Sequence, residues 1–582
     1  MKTLRIILTT LVLSIITACG GGGGSTTAQG SISGTATKGP VSSATVTAYA
    51  ISNGQIGAQI STAQTDRNGN FTMTTGSYTG PVMLQMSGGS YTDEATGTTG
   101  TTNMTMAPGD VMTAVMPTVA AGAAISGVQV TPVTAMAQAM AQHMTGGMTD
   151  ANIGTANTAM GTYFTVSDIL HIKPMNPLVA GSGTGASQDA QNYGMALAAI
   201  SQSAQAQGMT LSSAMVTALM NDASDGVMDG KMGSSSVMMG GMAVSTALPA
   251  TAGTRDLGAA LNTFVNNTAQ NKSGITSTAM MALMTKLNAA AGTGTGAPPI
   301  MTNPPAMVNA TVSGTVFNGP MSKATVKAFA INNGTMGAQI ASVATDGQGK
   351  FTIPLGSYSG PLMLQMSGGV YTDEATGTTN MTMGASDVMS AVLPSSVASG
   401  ANVTGIWVTP VTSMAQTRAL ALSGGMTDAN ITAANTAMGN YFLVTTGILT
   451  TRPMNPLVSG SGTTVGVTPD MRNYGAAIAA MSEYAKTNTT AVSSTFVTAM
   501  MNDASDGVMN GKLGSSQITM PMSGGMGGGM NGMGMMAATA GWSSLATAMT
   551  TFLSPGTTNV SGLTTTDMTT LTTKLTNSNG QI

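Results

Sequence analysis

The sequence predicts an α+β multidomain protein in which a small all-β sandwich followed by an all-α helical domain occurs twice in tandem. Three observations support this fold class. A long internal duplication divides most of the chain into two copies, and a Gly/Pro-rich segment separates them. Within each copy the hydrophobic period changes from that of strands to that of helices.

The N-terminal segment has the pattern of a secretion signal. Lys2 and Arg5 precede an apolar run from Ile6 to Ile16, which is too short to cross a bilayer as a permanent helix. Small residues follow and complete a cleavage site before Cys19. We therefore expect residues 1–18 to be a signal peptide that is removed from the mature chain.

The segment Ile16-Thr17-Ala18-Cys19 resembles the lipobox of bacterial lipoproteins. In that family the cysteine is acylated, so the resemblance implies that Cys19 anchors the chain in an envelope membrane. Gly20, rather than an aspartate, follows it, which by the family's sorting rule implies the outer membrane. Residues 19–29 are then the lipidated cysteine and a glycine-rich tether. The alternative is that Cys19 is a small residue of an ordinary secretory signal.

Composition limits what the mature chain can do. The 582 residues are 42% hydrophobic and contain no second apolar run of membrane-spanning length, which predicts a soluble body of several domains. Only 7% of the residues are charged and the net charge is -3, and no basic cluster is present. We therefore expect no nucleic-acid partner. Because the chain has a single cysteine, it forms no internal disulfide, and packing must stabilise it.

The internal duplication determines the domain organisation. Residues 76–99 recur as residues 356–379, with changes only at Thr79/Ser359, Val82/Leu362 and Ser90/Val370. A Gly/Pro-rich linker, residues 292–308, cannot sustain a helix or a central strand, so we expect the two units to move as separate bodies. The predicted domains are a β-sandwich (30–134) and a helical domain (135–291), their second copies (309–412 and 413–576), and a tail (577–582).

The first part of each copy has the pattern of strands and turns. Thr45 to Tyr49 alternates in polarity, and Pro81 to Met86 is a further strand. Gly39-Pro40 and Asn68-Gly69 are turn pairs, of which the second supplies the positive φ of a tight hairpin. Phe71 then begins a strand whose ring can fill the core of a sandwich. This half is predicted to be all-β.

The β residues also carry a resemblance. The segments concerned are Gly34-Thr35-Ala36, Gly39-Pro40-Val41, Ala44 to Tyr49 and Thr65 to Phe71, repeated as Gly319-Pro320-Met321, Ala324 to Phe329 and Thr345 to Phe351. They are similar to the carboxypeptidase regulatory-like domains, which are small transthyretin-type sandwiches. In that family the domain is an accessory module, so the resemblance implies that this part of the chain is not a catalyst.

From about Ala135 the pattern becomes helical. Met136, Met140 and Met144 recur at i, i+4 spacing, and Thr149-Asp150 offers an N-cap to a helix that extends to Tyr163. Further helices are predicted at Ser187 to Ala206, Ser212 to Asp222, Arg255 to Gln270 and Ser277 to Ala291. This half is predicted to be all-α, and it resembles no family that we recognise.

Few side chains are available for chemistry. The only histidines are His143 and His171, and Ala421 and Thr450 stand at their places in the second copy. The repeated unit therefore does not need a histidine. We expect both to be partly exposed surface residues rather than zinc ligands or a catalytic base.

Two acidic residues recur as a consecutive pair. Asp93 and Glu94 are repeated as Asp373 and Glu374 and could work as a general acid and base. On a strand, however, consecutive side chains face opposite sides. A position in a turn is therefore the favoured interpretation.

An acidic loop follows the predicted helix that ends at Asp222. Its carboxylates are candidate calcium ligands, namely Asp222, Asp225, Asp229, Asp503 and Asp506. Gly226 fits the turn position of an EF-hand, but Ala223 occupies a ligand position and Met232 stands where a bidentate glutamate is required. A helix-ending turn, with Asx side chains bonded to backbone amides, explains the same residues and is favoured.

Methionine is unusually frequent, with 53 residues. Met526, Met530 and Met533 lie in one glycine-rich stretch, and their thioethers are candidate Cu(I) ligands. Most methionines, however, stand where leucine would pack, as in Val82 to Met86. We favour core packing, with Cu(I) binding or reversible methionine oxidation as the alternative.

Together these patterns predict an envelope-anchored lipoprotein without catalytic activity or cofactor, which serves cell-surface structure or binds a protein or glycan partner. The predicted location is the outer membrane, on its periplasmic or its outward face. A metal or methionine-redox module and an enzyme with an unrecognised site are the two other classes. A metal-loading measurement would distinguish a metal module from a binding protein. A deep polar pocket in both copies would favour an enzyme.

Overall fold

The structure is a computed structural model that describes residues 29–97, 104–107, 109–290, 300, 306–384, 386–395, 398, 400–488, 493–521 and 533–582. Within these ranges the chain is a mixed α and β protein with twelve α-helices and many small sheets. We call residues 30–291 copy 1 and residues 309–576 copy 2. In each copy the β half ends at a threonine, Thr131 or Thr409, and the helical half follows.

The β half of copy 1 forms two main sheets. Its strands are β1 Gly30–Ala36, β2 Thr45–Ser52, β3 Gln55–Gln64, β4 Asn70–Gly76, β5 Gly80–Ser87, β6 Ser90–Tyr91, β7 Met104–Thr105, β8 Val111–Val119 and β9 Ala124–Val130. The strand orders are β3-β2-β5-β8 and β4-β1-β9, and β6 pairs with β7. The β1 and β9 strands are parallel, whereas β1 and β4 are antiparallel.

Local sequence explains these strands and turns. Strand β4 alternates between exposed and buried side chains, and its Phe71 and Met73 are each 3% exposed. At the preceding turn Gly69 has a φ of +78°, and a Cβ there would lie 2.5 Å from the Ala36 carbonyl oxygen. The predicted turn at Asn68-Gly69 and the inward ring of Phe71 are therefore confirmed. The expected hairpin is wrong, because the strands on either side of the turn, β3 and β4, belong to different sheets.

The helical half of copy 1 contains helices and short ribbons. Its elements are α1 Pro132–His143, α2 Asp150–Phe164, α3 Gln188–Ala206, α4 Ser212–Ala223, β10 Lys231–Met232, β11 Ser235–Ser236, β12 Met238–Met239, β13 Thr246–Ala247, α5 Arg255–Asn266 and α6 Met281–Ala290. The prediction of an all-α half is wrong, because two antiparallel ribbons, β10-β11 and β12-β13, lie between α4 and α5. Gly230 and Gly233 take positive φ angles there, which breaks any helical run.

The helices begin where polar caps satisfy their first amides. Thr131 and Thr134 form a reciprocal capping box at the start of α1, with Pro132 in the first turn. Thr149 caps α2 as predicted, and Ser187 caps α3. Helix α1 thus begins earlier than the Ala135 that periodicity indicated.

Copy 2 repeats the architecture. Its elements are β14 Ala310–Val316, β15 Thr325–Asn332, β16 Thr335–Ala344, β17 Lys350–Gly356, β18 Leu362–Ser367, β19 Val370–Tyr371, β20 Met381–Thr382, β21 Val388–Leu393, β22 Asn402–Val408, α7 Pro410–Ala421, α8 Asp428–Tyr441, α9 Pro469–Thr487, α10 Ser493–Ala504, β23 Lys512–Leu513, β24 Ser516–Gln517, β25 Thr519–Pro521, β26 Met533–Met535, α11 Ser543–Phe552, a 3-10 turn Thr566–Met568, and α12 Thr569–Asn577. The strand orders β16-β15-β18-β21 and β17-β14-β22 match those of copy 1.

The β half and the helical half of copy 1 share one hydrophobic core. Val46 and Phe71 from the strands belong to the same buried cluster as Met136 and Leu197 from the helices. Met83 and Met86 are fully buried in it, which confirms that these methionines pack as leucine would. The two halves of copy 1 are therefore stabilised by common apolar contacts.

The two copies also pack against each other. Gln85 Nε2 on β5 donates a hydrogen bond of 3.0 Å to the Gln339 carbonyl on β16, and Asn221 Nδ2 on α4 donates one of 2.7 Å to the Ser342 carbonyl. Ser357 donates from its backbone amide and its hydroxyl to the Gln142 carbonyl, at 3.1 and 2.9 Å. The expectation that the copies move as separate bodies is therefore wrong, because buried polar groups join them directly.

Candidate functional site

A cluster of buried charged and hydroxyl side chains joins the two halves of copy 1, and we call it the junction cluster. Its members are Lys38, Asp93, Glu94, Ser201 and Ser212. Lys38 lies in the turn between β1 and β2, the acidic pair follows β6, and the serines lie on α3 and α4. Lys38 is 0% exposed, and both carboxylates are 2% exposed. Charged side chains are rarely buried to this extent unless they are paired.

The cluster is held by direct contacts. Lys38 Nζ lies 3.2 Å from Glu94 Oε2 and 3.9 Å from Asp93 Oδ2. Ser201 Oγ donates to Glu94 Oε2 at 2.5 Å, and the Ser212 hydroxyl donates to Asp93. Asp93 Oδ1 also accepts the backbone amides of the turn that it begins. The predicted turn position of the acidic pair is confirmed, and the pair additionally fastens the β half to two helices.

The electrostatics of the cluster favour a structural role. Burial by itself lowers the pKa of Lys38, but the charges of Glu94 and Asp93 more than offset this effect, so its pKa is raised. A lysine that keeps its proton cannot act as the base that would activate Ser201 as a nucleophile. The lysine and the serine therefore stabilise the carboxylates.

Copy 2 contains the same junction without the lysine. Asn318 stands in the place of Lys38 and is 2% exposed, and Glu374 is 0% exposed. Ser482 Oγ donates to Glu374 Oε2 at 2.7 Å, while Glu374 Oε1 has no hydrogen-bond partner among the described residues. Burial raises the pKa of Glu374 to about 7.

A cavity of about 230 Å³ lies beside the junction cluster of copy 1. Its polar lining consists of Thr35, Thr37, Asn68, Glu94, Lys173 and Asn176, with apolar surface from the Pro174 to Pro177 loop and Leu197. In copy 2 the position of Thr37 is taken by Phe317, whose ring packs edge-to-face against Trp407 at a centroid distance of 6.3 Å. The lining of the two sites therefore differs.

The acidic loops fold as helix-ending turns, as predicted. Asp222 Oδ1 accepts the amides of Asp229 and Gly230 at 3.0 and 2.7 Å. Asp225 Oδ2 accepts the Gly233 amide at 2.6 Å, and Asp229 Oδ1 accepts the Lys231 amide at 3.0 Å. These backbone amides occupy Oδ1 of Asp222, whereas its Oδ2 is buried and has no hydrogen-bond partner among the described residues.

The second acidic loop repeats these contacts. Asp503 Oδ1 accepts the amides of Asn510 and Gly511 at 2.9 and 2.7 Å, and Asp506 Oδ1 accepts the Val508 amide at 3.0 Å. Burial raises the pKa of Asp503 to about 6. Among the described residues, no group of three or more histidine, cysteine or acidic side chains is arranged to hold a metal ion.

The two histidines have different environments. His171 is about half exposed and pairs with Asp168 at 2.8 Å, as expected for a surface residue. The same expectation is wrong for His143, which is 2% exposed because copy 2 covers the end of α1. Burial lowers the pKa of His143 to about 4, so the ring is neutral near pH 7.

Several sequence candidates fall elsewhere. Cys19, Met526 and Met530 lie outside the described residues, and Met533 begins strand β26. Sequence reasoning did not single out Lys38 or Ser201, because neither belongs to a spaced motif. The one available signal was the lysine at a position where copy 2 has Asn318, in a chain with only 7% charged residues.

Comparisons with known proteins gave no match for this chain. No protein-family description, no curated protein and no solved structure matches it. No helix in the described ranges is long and apolar enough to cross a membrane.

Proposed function

We propose that the chain is a lipid-anchored envelope protein, held at the outer membrane through Cys19, whose two copies serve cell-surface structure or partner binding without catalysing a reaction. The observation that carries this proposal is the order of three features at the N-terminus. These are an apolar signal, the segment Ile16-Thr17-Ala18-Cys19, and a run of glycines that tethers the folded body.

The chemistry of the folded body supports a role without catalysis. The charged groups of the junction cluster are buried and bonded to one another, so they stabilise the fold. The acidic loops bind their own backbone amides. Of the two histidines, His143 is a buried neutral ring and His171 is a surface side chain in contact with Asp168.

We also propose that each β half is a transthyretin-type sandwich of the carboxypeptidase regulatory-like kind, followed by a helical domain. A four-stranded and a three-stranded sheet in each copy, with the same strand order, support this assignment. Accessory modules of this type fit a protein that presents surfaces rather than a catalytic centre.

Replacing the cysteine tests the anchor. Cys19→Ser should abolish labelling by radioactive palmitate and release the protein from the membrane fraction, since one buried acyl chain contributes about 0.8 kcal/mol for each CH₂ group. Ser25→Ala, in the tether beyond the cysteine, is the matched control and should stay in the membrane fraction. A Cys19→Ser chain that remains acylated and membrane-bound would contradict the proposal.

The cavity beside Thr37 favours glycan binding as a second candidate function. Its hydroxyl and amide groups can exchange hydrogen bonds with sugar hydroxyls, while proline and leucine offer apolar surface to the sugar ring. Thr37→Phe copies the aromatic side chain of copy 2 and should fill the cavity. In a glycan-array measurement this variant should lose the signal, and Phe317→Thr, which changes only copy 2, should keep it. Equal signals from both variants and the parent would exclude this cavity as the glycan site.

A further inference from the structure

Equivalent strands of the two copies differ in burial. In copy 2, strand β16 packs against helix α4 and strand β3 of copy 1, and its Gln339 and Ser342 are 7% and 4% exposed. In copy 1 the equivalent residues of β3, Gln59 and Thr62, are exposed. We call residues 339–345 with 354–357 the β face of copy 2, and residues 59–65 with 74–77 the β face of copy 1. Only the β face of copy 2 is covered.

The helical surfaces show the complementary difference. In copy 1, Gln142 and Asn221 are 4% and 6% exposed because copy 2 lies over them. Their equivalents in copy 2 are Leu420, which is 45% exposed, and Asn502, which is also exposed. We call the surface at Gln142 and Asn221 the helical face of copy 1, and the surface at Leu420 and Asn502 the helical face of copy 2. The chain therefore contains one covered interface, between its two copies. The β face of copy 1 and the helical face of copy 2 are the uncovered equivalents of the two sides of that interface.

The uncovered faces keep the polar groups that make the covered interface. Gln85 and Gln339, which bond each other between the copies, have the equivalents Gln365 and Gln59. Asn221, which donates to a strand carbonyl, has the equivalent Asn502, and Ser357, which donates to a helix carbonyl, has the equivalent Ser77. Three of these four contacts are made to backbone carbonyls, which any residue supplies.

We propose that the protein associates head to tail, with the helical face of copy 2 in one chain bound to the β face of copy 1 in the next chain. The occupant is thus a second copy of this chain, docked as copy 1 and copy 2 are docked inside each molecule. Such an interface is heterologous, so repeated use builds a row or a ring of chains rather than a symmetric dimer. The proposal goes beyond the lipid anchor and does not depend on it.

Association between chains is weaker than the contact inside the chain. The β face of copy 1 has Gln64 and Thr74 where copy 2 has Ala344 and Pro354. Less apolar area is therefore removed from water when the outer faces meet. On the other side, Leu420 replaces Gln142 and adds an apolar contact that the inner interface lacks. We expect reversible assembly that depends on protein concentration.

The test is sedimentation velocity over a range of concentrations, on the full chain carrying Cys19→Ser so that no lipid can contribute. Leu420→Glu blocks one outer face and Thr62→Glu blocks the other, since each places a charge at the centre of its face. Each variant alone should be monomeric, with the association constant reduced about tenfold or more. Val465→Glu is the control, because Val465 is 99% exposed on a loop outside both faces, and it should assemble as the parent does.

Mixing the two blocked variants distinguishes this mode from others. Each variant keeps one intact face, and the two intact faces are complementary, so the mixture should form a one-to-one dimer that grows no further. A parent chain that stays monomeric at every accessible concentration overturns the proposal. Assembly that survives both substitutions, or a mixture that stays monomeric, overturns it as well. Circular dichroism and thermal unfolding confirm that each variant is folded before its assembly is measured.

Discussion

Lys38 and Asn318 show how one difference between the copies changes a buried junction. In copy 1 the lysine neutralises Glu94 at 3.2 Å, and Ser201 adds a hydrogen bond. In copy 2 Glu374 keeps the hydrogen bond from Ser482 but forms no ion pair among the described residues. A buried carboxylate without a cation is held partly neutral, which explains why its pKa is raised to about 7.

Removing the lysine should strongly destabilise copy 1. Lys38→Met leaves Asp93 and Glu94 buried without a compensating charge, and the expected loss in the free energy of unfolding is about 3–5 kcal/mol. Urea unfolding measures this loss. Lys231→Met, at an exposed lysine of the same copy, is the control and should leave the stability almost unchanged. If the two variants unfold at the same urea concentration, the junction cluster does not stabilise copy 1.

The missing lysine should make copy 2 sensitive to pH. The pKa of Glu374 is raised from its ordinary value of 4.5 to about 7, so the folded state holds a proton that the unfolded state releases. Stability is therefore lost as the pH rises from about 4.5 to about 7 and stays low above that range, by about 3 kcal/mol at most. Glu374→Gln should remove this loss, so its advantage over the parent should grow between pH 5 and pH 8 in thermal unfolding.

A second variant separates charge from packing at this site. Asn318→Lys supplies the cation that copy 1 has, and it should also flatten the dependence on pH while keeping the glutamate. Asp373 and the ion pair of Glu483 with Lys486 are further charged groups near this junction, and neither variant changes them. An advantage of Glu374→Gln that is equal at pH 5 and pH 8 would show that the carboxyl group does not titrate in this range.

The first helix of each copy begins at a shared network of hydroxyl groups. Thr131 Oγ1 accepts the Thr134 amide at 3.2 Å and bonds the Tyr193 hydroxyl at 2.6 Å, which also donates to the Ile169 carbonyl. Thr409 and Tyr474 repeat the arrangement in copy 2. The capping residue therefore fixes the start of α1 and its contact with α3 at once.

Removing the N-cap of α1 should measurably lower the free energy of unfolding. Thr131→Ala removes the cap and leaves a buried tyrosine hydroxyl with one partner fewer, so we expect a loss of about 1–2 kcal/mol in the free energy of unfolding. Thr155→Ala, on the exposed side of α2, is the matched control, since its hydroxyl only bonds the Ala151 carbonyl within the helix. Equal effects of the two substitutions in chemical denaturation would assign no special role to the cap.

Sequence pattern predicted the elements with strong local signals. The strands near Thr45 and Pro81 and the turn at Asn68-Gly69 are present, because alternation and turn chemistry are local properties. The helix predicted to end at Gln270 stops at Asn266, since helix ends depend on local capping. The ribbons β10 to β13 escaped prediction because strands of two residues carry no periodicity.

Contacts between distant parts of the chain escaped prediction for a different reason. Gly57 to Ile60 and Gly337 to Ile340 have the same sequence, yet Gln59 is exposed and Gln339 is buried. The two segments differ only in whether another part of the chain covers them. A local sequence pattern cannot predict that difference. The junction cluster is similar, because Ser201 meets Glu94 across 107 residues and no motif relates the two.

The contact between the copies can be tested with the same substitution at equivalent positions of the two copies. Asn221→Ala removes a buried hydrogen bond of 2.7 Å to the Ser342 carbonyl, so it should lower the free energy of unfolding by about 1–3 kcal/mol. Asn502→Ala makes the same change at the exposed equivalent position. Measured by urea unfolding at concentrations where the chain is monomeric, it should have almost no effect. Equal losses would mean that asparagine stabilises its own helix in both copies, whereas a loss confined to Asn221 assigns the energy to the contact between the copies.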